Sequence, residues 1–354
     1  MEDTTRLTTV KNANGTVSIN HDSYDDDEEE FAFLPTLEKR LGILFMVICG
    51  VVFLLGVTGN GLVIFITGFR MKKTVNTIWY LNLAIADFTF TFFLPLSIVY
   101  QAQGFHWPFG EAMCKFNSTL TFVNLYASIY FLMVISIDRC ISVICPVWAR
   151  NHRSPCLASF VALGVWIWAI VLGSPHIYFR KSTKNGDQIK CYIKYSDNKE
   201  QAKVTHRAMV MNRFIFAFVI PFLVIIACYA AIVLRLRRDR LASSSKPFKV
   251  ITAVILAFFI CWLPYHVVSF LIIQTYEDHR LHLPLIIGVP LAHSLAFINS
   301  CLNPILYVFM VHDFKKKLKS SILSVFENAF AEDVTQSTTQ TKTTSSVELD
   351  YPDL

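Results

Sequence analysis

Residues 76–101 read NTIWYLNLAIADFTFTFFLPLSIVYQ and carry one charged side chain, Asp87. A helix crosses the hydrocarbon of a bilayer with about 20 mainly apolar residues, so this stretch is long enough to span. Six more stretches match it in length and hydropathy: residues 41–69, 112–144, 156–178, 208–234, 248–273 and 284–311. The fold expected is therefore an all-α membrane protein, a seven-transmembrane-helix bundle with a short amphipathic helix after the seventh span. Most spans hold a group that hydrocarbon rejects: Asn60, Asp87, Asp138-Arg139, Pro221, Pro264 or Asn303-Pro304. Polar groups and prolines inside spans are tolerated where neighbouring helices satisfy them, which points to a bundle with a moving core.

Composition agrees. Of 354 residues, 54% are hydrophobic and 16% charged, with 30 phenylalanines, a balance outside the range of ordinary soluble domains. Residues 1–40 lack a short apolar core followed by a cleavage site, so they do not read as a signal peptide; the first span is expected to act as an uncleaved anchor. Four units follow: an acidic, unstructured tail (1–40), the bundle (41–311), an amphipathic helix (312–326) and a Ser/Thr-rich tail (327–354).

Basic residues of short loops stay in the cytoplasm. Arg70, Lys72 and Lys73, then Arg150 and Arg153, then Arg235 to Lys249, then Lys315 to Lys319 mark one side as cytoplasmic. The N-terminus is thus expected outside and the C-terminus inside. The segment 180–207 breaks the pattern with eight basic residues on the outer side, an excess read as functional. Cys114 and Cys191 both face that oxidising side, so a disulfide between them is expected. No zinc spacing, glycine-rich phosphate loop or nucleophile elbow is present, and neither enzyme chemistry nor a nucleic-acid partner is expected.

Asn60 in GNGLV, Asp87 in LNLAIAD, the Asp138-Arg139-Cys140 triplet, Trp166, Pro221, CWLP at 261–264 and NPILY at 303–307 stand in order along the chain. Together they resemble the signature positions of the rhodopsin-like G-protein-coupled receptors over residues 41–326. Cys140 stands where a tyrosine is more usual. The stretches FRMKKTVNTIWYLNLAIADF, HWPFG, SIDRCISVICPVWARNHRS and FKKKLKSSILSVFENAFAED are similar to the leukocyte chemoattractant group. That group holds formyl-peptide, complement anaphylatoxin and chemerin receptors, and the likeness is greatest to the chemerin-receptor type.

The resemblance implies roles. Asp87, with Asn124, Ser128, Asn299, Ser300 and Asn303, would form a sodium and water pocket that collapses on activation; a static hydrogen-bonded core is the alternative. Apart from this sodium, no metal or cofactor is implied. Arg139 would leave Asp138 and meet a G protein, with Tyr229 and Tyr307 swinging in beside it. Pro264 and Pro304 remove helix hydrogen bonds and permit hinges, and Trp262 would be the rotamer switch beneath the ligand. Trp166 reads as structural.

Arg213 on the fifth span faces the bundle by periodicity, and the matching arginine of the group engages a ligand's acidic end. Snorkelling to headgroups is its alternative. Phe122, Asn124, Tyr265, His266, Phe270, His293 and Phe297 would line an aromatic cavity around it. Phe122 replaces an acidic residue of the formyl-peptide branch, which weighs against formylated ligands. Tyr24, in HDSYDDDEEE, has the context of a sulfated tyrosine and supplies a second ligand contact; Asn14 opens a glycosylation acceptor.

Inside, the basic gap between spans five and six and residues 313–325 would meet a protein partner and anionic lipid. Ser337, Thr338, Thr339, Thr343, Thr344, Ser345 and Ser346 would be phosphorylated by receptor kinases and dock arrestin. The function expected is a plasma-membrane receptor for a peptide or small-protein chemoattractant in chemotaxis and inflammation. It would signal through a heterotrimeric inhibitory G protein to lower cyclic AMP and mobilise calcium. Alternatives are a formyl-peptide or complement-fragment receptor, or an arrestin-biased scavenger; a transporter or channel lacks support in the pattern.

Overall fold

The computed structural model describes residues 25–238, 246–276 and 279–310, with side chains for most of them. Seven helices are long and apolar enough to cross a membrane: Pro35–Arg70, Val75–Ala102, Gly110–Ile144, Pro155–Phe179, Lys199–Arg238, Ile255–Gln274 and Leu283–Pro304. They are called here the first to seventh helices. Their outward faces are aliphatic and aromatic, with Val47, Leu54, Phe160, Leu163, Leu223 and Ile260 exposed, as a lipid-facing surface requires.

The third helix occupies the middle. Its most apolar window is 61% buried against 22–50% for the other six, and it packs on the second, fourth and fifth helices. The first helix packs on the second and seventh, and the sixth on the seventh, which closes the ring. The core is continuous from Val52 and Leu83 through Leu125, Ile129 and Phe131 to Phe258 and Trp262.

Local sequence explains most boundaries. The second helix starts at a capping box, Thr74 and Thr77 exchanging side-chain and backbone bonds, and the fourth starts at Pro155 behind the Ser154 cap. Pro221 supplies no amide to the carbonyl one turn before it, and the fifth helix absorbs the defect as a π-turn over Ile215–Val219.

Three expectations shift. The first helix reaches back to Asp25, into the segment expected to be an unstructured tail. The fifth begins at Lys199, not 208, because the Asn198 carboxamide caps the amides of Glu200 and Gln201 ahead of the apolar run. The expected outer loop is in part a β-hairpin, β1 (Arg180–Asn185) antiparallel to β2 (Gln188–Ile193), the one sheet among the described residues. Gly186, at φ +60°, takes the left-handed turn between them. Residues 312–326 and both distal tails lie outside the described residues.

Candidate functional site

The hairpin is fastened over one end of the bundle. Cys191 of β2 is bonded to Cys114 at the start of the third helix, the pairing expected. Around the bridge pack Trp107, Tyr100, Leu96 and Ile189. The Trp107 amide donates to the Ile189 carbonyl at 2.7 Å and the Tyr100 hydroxyl to the Cys191 carbonyl at 3.3 Å.

Beneath the hairpin lies a cavity of about 280 Å³. Arg213 enters it from the fifth helix, only 7% exposed. Its guanidinium lies over the rings of Phe122 and Tyr265, 5.2 and 5.0 Å from their centroids, and Nη2 donates to Ser269 Oγ at 3.3 Å. Nε has no hydrogen-bond partner, and no carboxylate among the described residues pairs with the group. Arg180 of β1 lines the same cavity, its Nε 3.2 Å from Cys191 Sγ. Burial pulls its pKa below the ordinary arginine value, opposed by the neighbouring Tyr100 and Tyr195. A buried and a half-buried guanidinium thus face a mainly apolar cavity whose lining has no carboxylate, an arrangement that can accept an anion.

Of the residues expected around Arg213, the cavity brings together Phe122, Tyr265, His293 and Phe297. It does not include Asn124, His266 or Phe270. The sixth helix lines the cavity with Tyr265, Val268, Ser269 and Ile272, a stripe at the i, i+3, i+4, i+7 spacing. His266 and Phe270 lie one step round, on the face toward the fifth helix. There the Phe214 ring lies 5.6 Å from His266 and 5.1 Å from Phe270. Asn124 is two residues past Phe122, so it turns by about 200° and points into the bundle. Sequence reading missed Arg180, Tyr195 and His206 on the cavity wall and His176, whose ring stacks 3.5 Å from Phe122. The Asn185-Gly186 step is a hairpin signal; a two-residue turn there sets Ser182 opposite Cys191, and Arg180, two residues from Ser182, shares that inner face.

Trp262 does not line the cavity; its ring packs 5.5 Å from Tyr265 and 6.0 Å from Phe258. Further in, Asp87 is fully buried. Its Oδ1 accepts from Asn124 Nδ2 at 3.1 Å and Ser128 Oγ at 3.2 Å, and its Oδ2 from Asn303 Nδ2 at 2.6 Å. Ser300 Oγ donates to Asn124 Oδ1 at 3.5 Å, and Asn60 joins through the Ser300 carbonyl at 2.9 Å. Asn299 is buried nearby, but the donors to Asp87 come from its neighbours. Asn60 Oδ1 is buried without a partner. A carboxylate, two hydroxyls and free amide oxygens are the donors a hard cation such as sodium takes.

At the end away from the hairpin the expected Asp138–Arg139 association is replaced. Arg153 grips Asp138 through Nε and Nη2 and also holds Asn76, because the short helix Pro146–His152 folds the chain back under the third helix. Arg139 donates to the Tyr80 hydroxyl at 3.5 Å. Tyr229 bonds Thr252 on the sixth helix. Pro264 and Pro304 lie within the sixth and seventh helices, as does the backbone of Tyr307. Trp166 donates to Asn82 Oδ1 at 2.9 Å, a structural tie to the second helix. Asn14, Tyr24 and the serines and threonines from 337 to 346 lie outside the described residues.

Residues 59–307 match the family model described as 7 transmembrane receptor (rhodopsin family). The chain is 44% identical over 336 residues to "Chemerin-like receptor 1" of Sus scrofa, covering 89% of this chain and 91% of that protein. It is 40% identical to "C3a anaphylatoxin chemotactic receptor" of Danio rerio, with 90% and 87% covered. To "Formyl peptide receptor 2" of Mus musculus it is 39% identical, with 94% and 99% covered. With seven spanning helices in the bundle and this degree of likeness along nearly the whole chain, the protein belongs to the rhodopsin family of seven-transmembrane receptors, within its chemoattractant group: a multi-pass plasma-membrane receptor and not an enzyme.

Proposed function

We propose that this chain recognises an extracellular peptide or small-protein chemoattractant by the free carboxylate at its C-terminal end, with a chemerin-like ligand favoured. The observation that carries the reading is the pair Arg213 and Arg180 in a cavity with no lining carboxylate. An anion entering it replaces water around two guanidiniums already desolvated, and a bidentate arginine–carboxylate contact is both strong and directional. Phe122 and Tyr265, flanking Arg213, shield the pair and offer apolar surface to the residue that carries the carboxylate. The names of the relatives, which include chemerin-like, C3a and formyl peptide receptors, support a peptide ligand.

The hairpin end then faces outward and the Arg139 end inward, as the basic loops favour. Tyr24 in the acidic tail adds a second contact to a protein ligand and speeds its approach by long-range attraction. Ligand binds the opened bundle more tightly than the closed one, each tenfold preference contributing about 1.4 kcal/mol of bias. Opening frees Arg139 from Tyr80 for an inhibitory G protein, which lowers cyclic AMP and mobilises calcium. Receptor kinases then phosphorylate the tail and arrestin docks; the basic stretches 235–249 and 313–325 contact anionic lipid. Sodium at Asp87 would supply a positive charge that holds the donor cluster in its closed arrangement.

The test is inhibition of cyclic AMP, with arrestin recruitment in parallel, in cells expressing the chain and exposed to chemerin, complement fragments and formylated peptides. A cyclic AMP response to one member, abolished by blocking the inhibitory G protein, supports the reading. Arrestin recruitment without that response identifies a scavenger, and silence in both overturns the ligand class.

A further inference from the structure

A second cavity, of about 460 Å³, lies between the first, second and seventh helices. It is larger than the arginine cavity and shares a wall with it: Ser97, Tyr100, His293 and Phe297 line both. The chemistry of the two differs. The arginine chamber holds Arg180 and Arg213. The second is walled by Leu41, Phe45, Leu285, Ile286 and Val289, with one carboxylate, Glu38, at its solvent edge. Glu38 is exposed and forms no ion pair among the described residues.

The partition between the chambers is built. The Tyr100 hydroxyl is tied to the Cys191 carbonyl. His293 Nδ1 lies 2.8 Å from the Val289 carbonyl one turn back, and its ring stands edge-on to Tyr265 at 5.3 Å. Phe297 is held between Phe45 and Phe90, at 5.9 and 5.1 Å. A chain segment anchored at Arg213 has only the width of this wall to cross to place a side chain in the second chamber. Burying an aromatic side chain against such apolar walls contributes about one to two orders of magnitude in affinity.

We infer that the second chamber is a specificity subsite for a large apolar side chain of the same peptide whose carboxylate is held by Arg213, and that Glu38 selects a cationic group on the residue next to it. The inference rests on the carboxylate reading of the arginine chamber. It commits to a ligand side chain because the chamber adjoins that site across a shared wall and carries at its mouth a charge opposite to the arginines. A ligand matched to both chambers has an acidic end, an apolar residue a short distance up the chain and a basic group beside it.

The experiment uses the full-length receptor in lipid nanodiscs and N-acetylated hexapeptides with a free C-terminus. One phenylalanine is moved along an alanine–glycine background, and binding is read by competition against a fluorescent parent peptide. Wild type should show a preference of tenfold or more for phenylalanine at one position. Ile286→Trp or, as a second variant, Leu285→Phe should reduce that preference to about twofold while the alanine peptide still binds; that retained binding shows the variant is folded. Lysine next to the preferred position should bind about threefold better than alanine in wild type and equally in Glu38→Gln. A flat phenylalanine scan in wild type, as when a lipid acyl chain fills the chamber, overturns the inference. So does a preference that survives both wall substitutions. If Arg213→Ala leaves every peptide unaffected, the carboxylate reading fails as well; if it abolishes binding while the wall variants change nothing, only the subsite fails.

Discussion

Asp138 is held by Arg153, fifteen residues further along the chain, through Nε to Oδ1 at 2.7 Å and Nη2 to Oδ2 at 2.8 Å. Its sequence neighbour Arg139 turns instead to the Tyr80 hydroxyl. Asp138 is nearly buried and Arg153 largely so, at 11% and 29% side-chain exposure, so the bidentate pair escapes much of the screening that weakens surface ion pairs.

Arg153→Ala should therefore lower the thermal stability of the receptor, and Asp138→Asn should do the same. In a double-mutant cycle the two effects should fall short of adding by about 0.5–3 kcal/mol, the range for contacting groups in one network. Thermal inactivation half-lives of the four proteins in one detergent supply the cycle. Additive effects would show that the grip contributes nothing of its own.

This pair also marks what the sequence could reveal. The seven spans were legible because hydropathy over about 20 residues is a strong signal, and the facing of Arg213 followed from helical period. Three of Asp87's donors, Asn124, Ser128 and Asn303, were among the residues that the family resemblance grouped with it. Arg153 was counted only as a loop charge, since its pairing depends on the short helix Pro146–His152 returning the chain to the third helix. The same holds for Arg180: a two-stranded register, not a helical one, aims it inward. His266 and Phe270 were misplaced by a single step of the sixth helix, because a period fixes a stripe of residues but not which neighbouring helix that stripe faces.

Arg213→Ala should reduce the potency of a carboxylate-terminated agonist at least tenfold with surface expression unchanged. Arg213→Lys should recover only part of that loss, because an ammonium lacks the planar fork that matches a carboxylate. Amidating the peptide's C-terminus should cost wild type as much as the alanine substitution and cost Arg213→Ala little more. Dose–response curves for acid and amide peptides on the three receptors decide it; an amide as potent as the acid on wild type would remove the carboxylate from the account.

The Cys114–Cys191 bridge spans 77 residues of sequence. Closing a loop of that length in the unfolded chain corresponds to about 4–5 kcal/mol in the chain-entropy model. Cys191→Ser should therefore lower surface expression and, in the molecules that reach the surface, release the β2 contacts to Trp107 and Tyr100 that roof the arginine cavity. Agonist potency should fall together with expression. The double variant Cys114→Ser/Cys191→Ser should match the single one, as both remove the same bond. Flow cytometry and calcium responses in parallel measure the two effects, and a potent response from the single variant would show that the roof is held without the bridge.

Asp87 accepts hydrogen bonds from the second-helix side of the core to donors on the third and seventh helices, so a charge placed there bears on how three helices sit together. A burial this complete is costly for a carboxylate unless it is paired or hydrogen-bonded, and sodium among the Asn60, Ser128 and Ser300 oxygens would complete the pairing in the closed bundle. Raising sodium at constant ionic strength, with choline replaced ion for ion, should weaken agonist binding to wild type by about threefold or more and leave a competitive antagonist unaffected. Asp87→Asn keeps the shape but removes the charge and turns one accepting oxygen into an NH2 donor, so it loses either the Asn303 bond or those from Asn124 and Ser128; it should erase the sodium effect on agonist affinity. Lithium or potassium in place of sodium should act less strongly, since the oxygens are fixed by Asn124, Asn303 and the backbone of the seventh helix and set one cation size. Equal agonist affinity in sodium and choline on wild type would assign the cluster to a static hydrogen-bonded core instead.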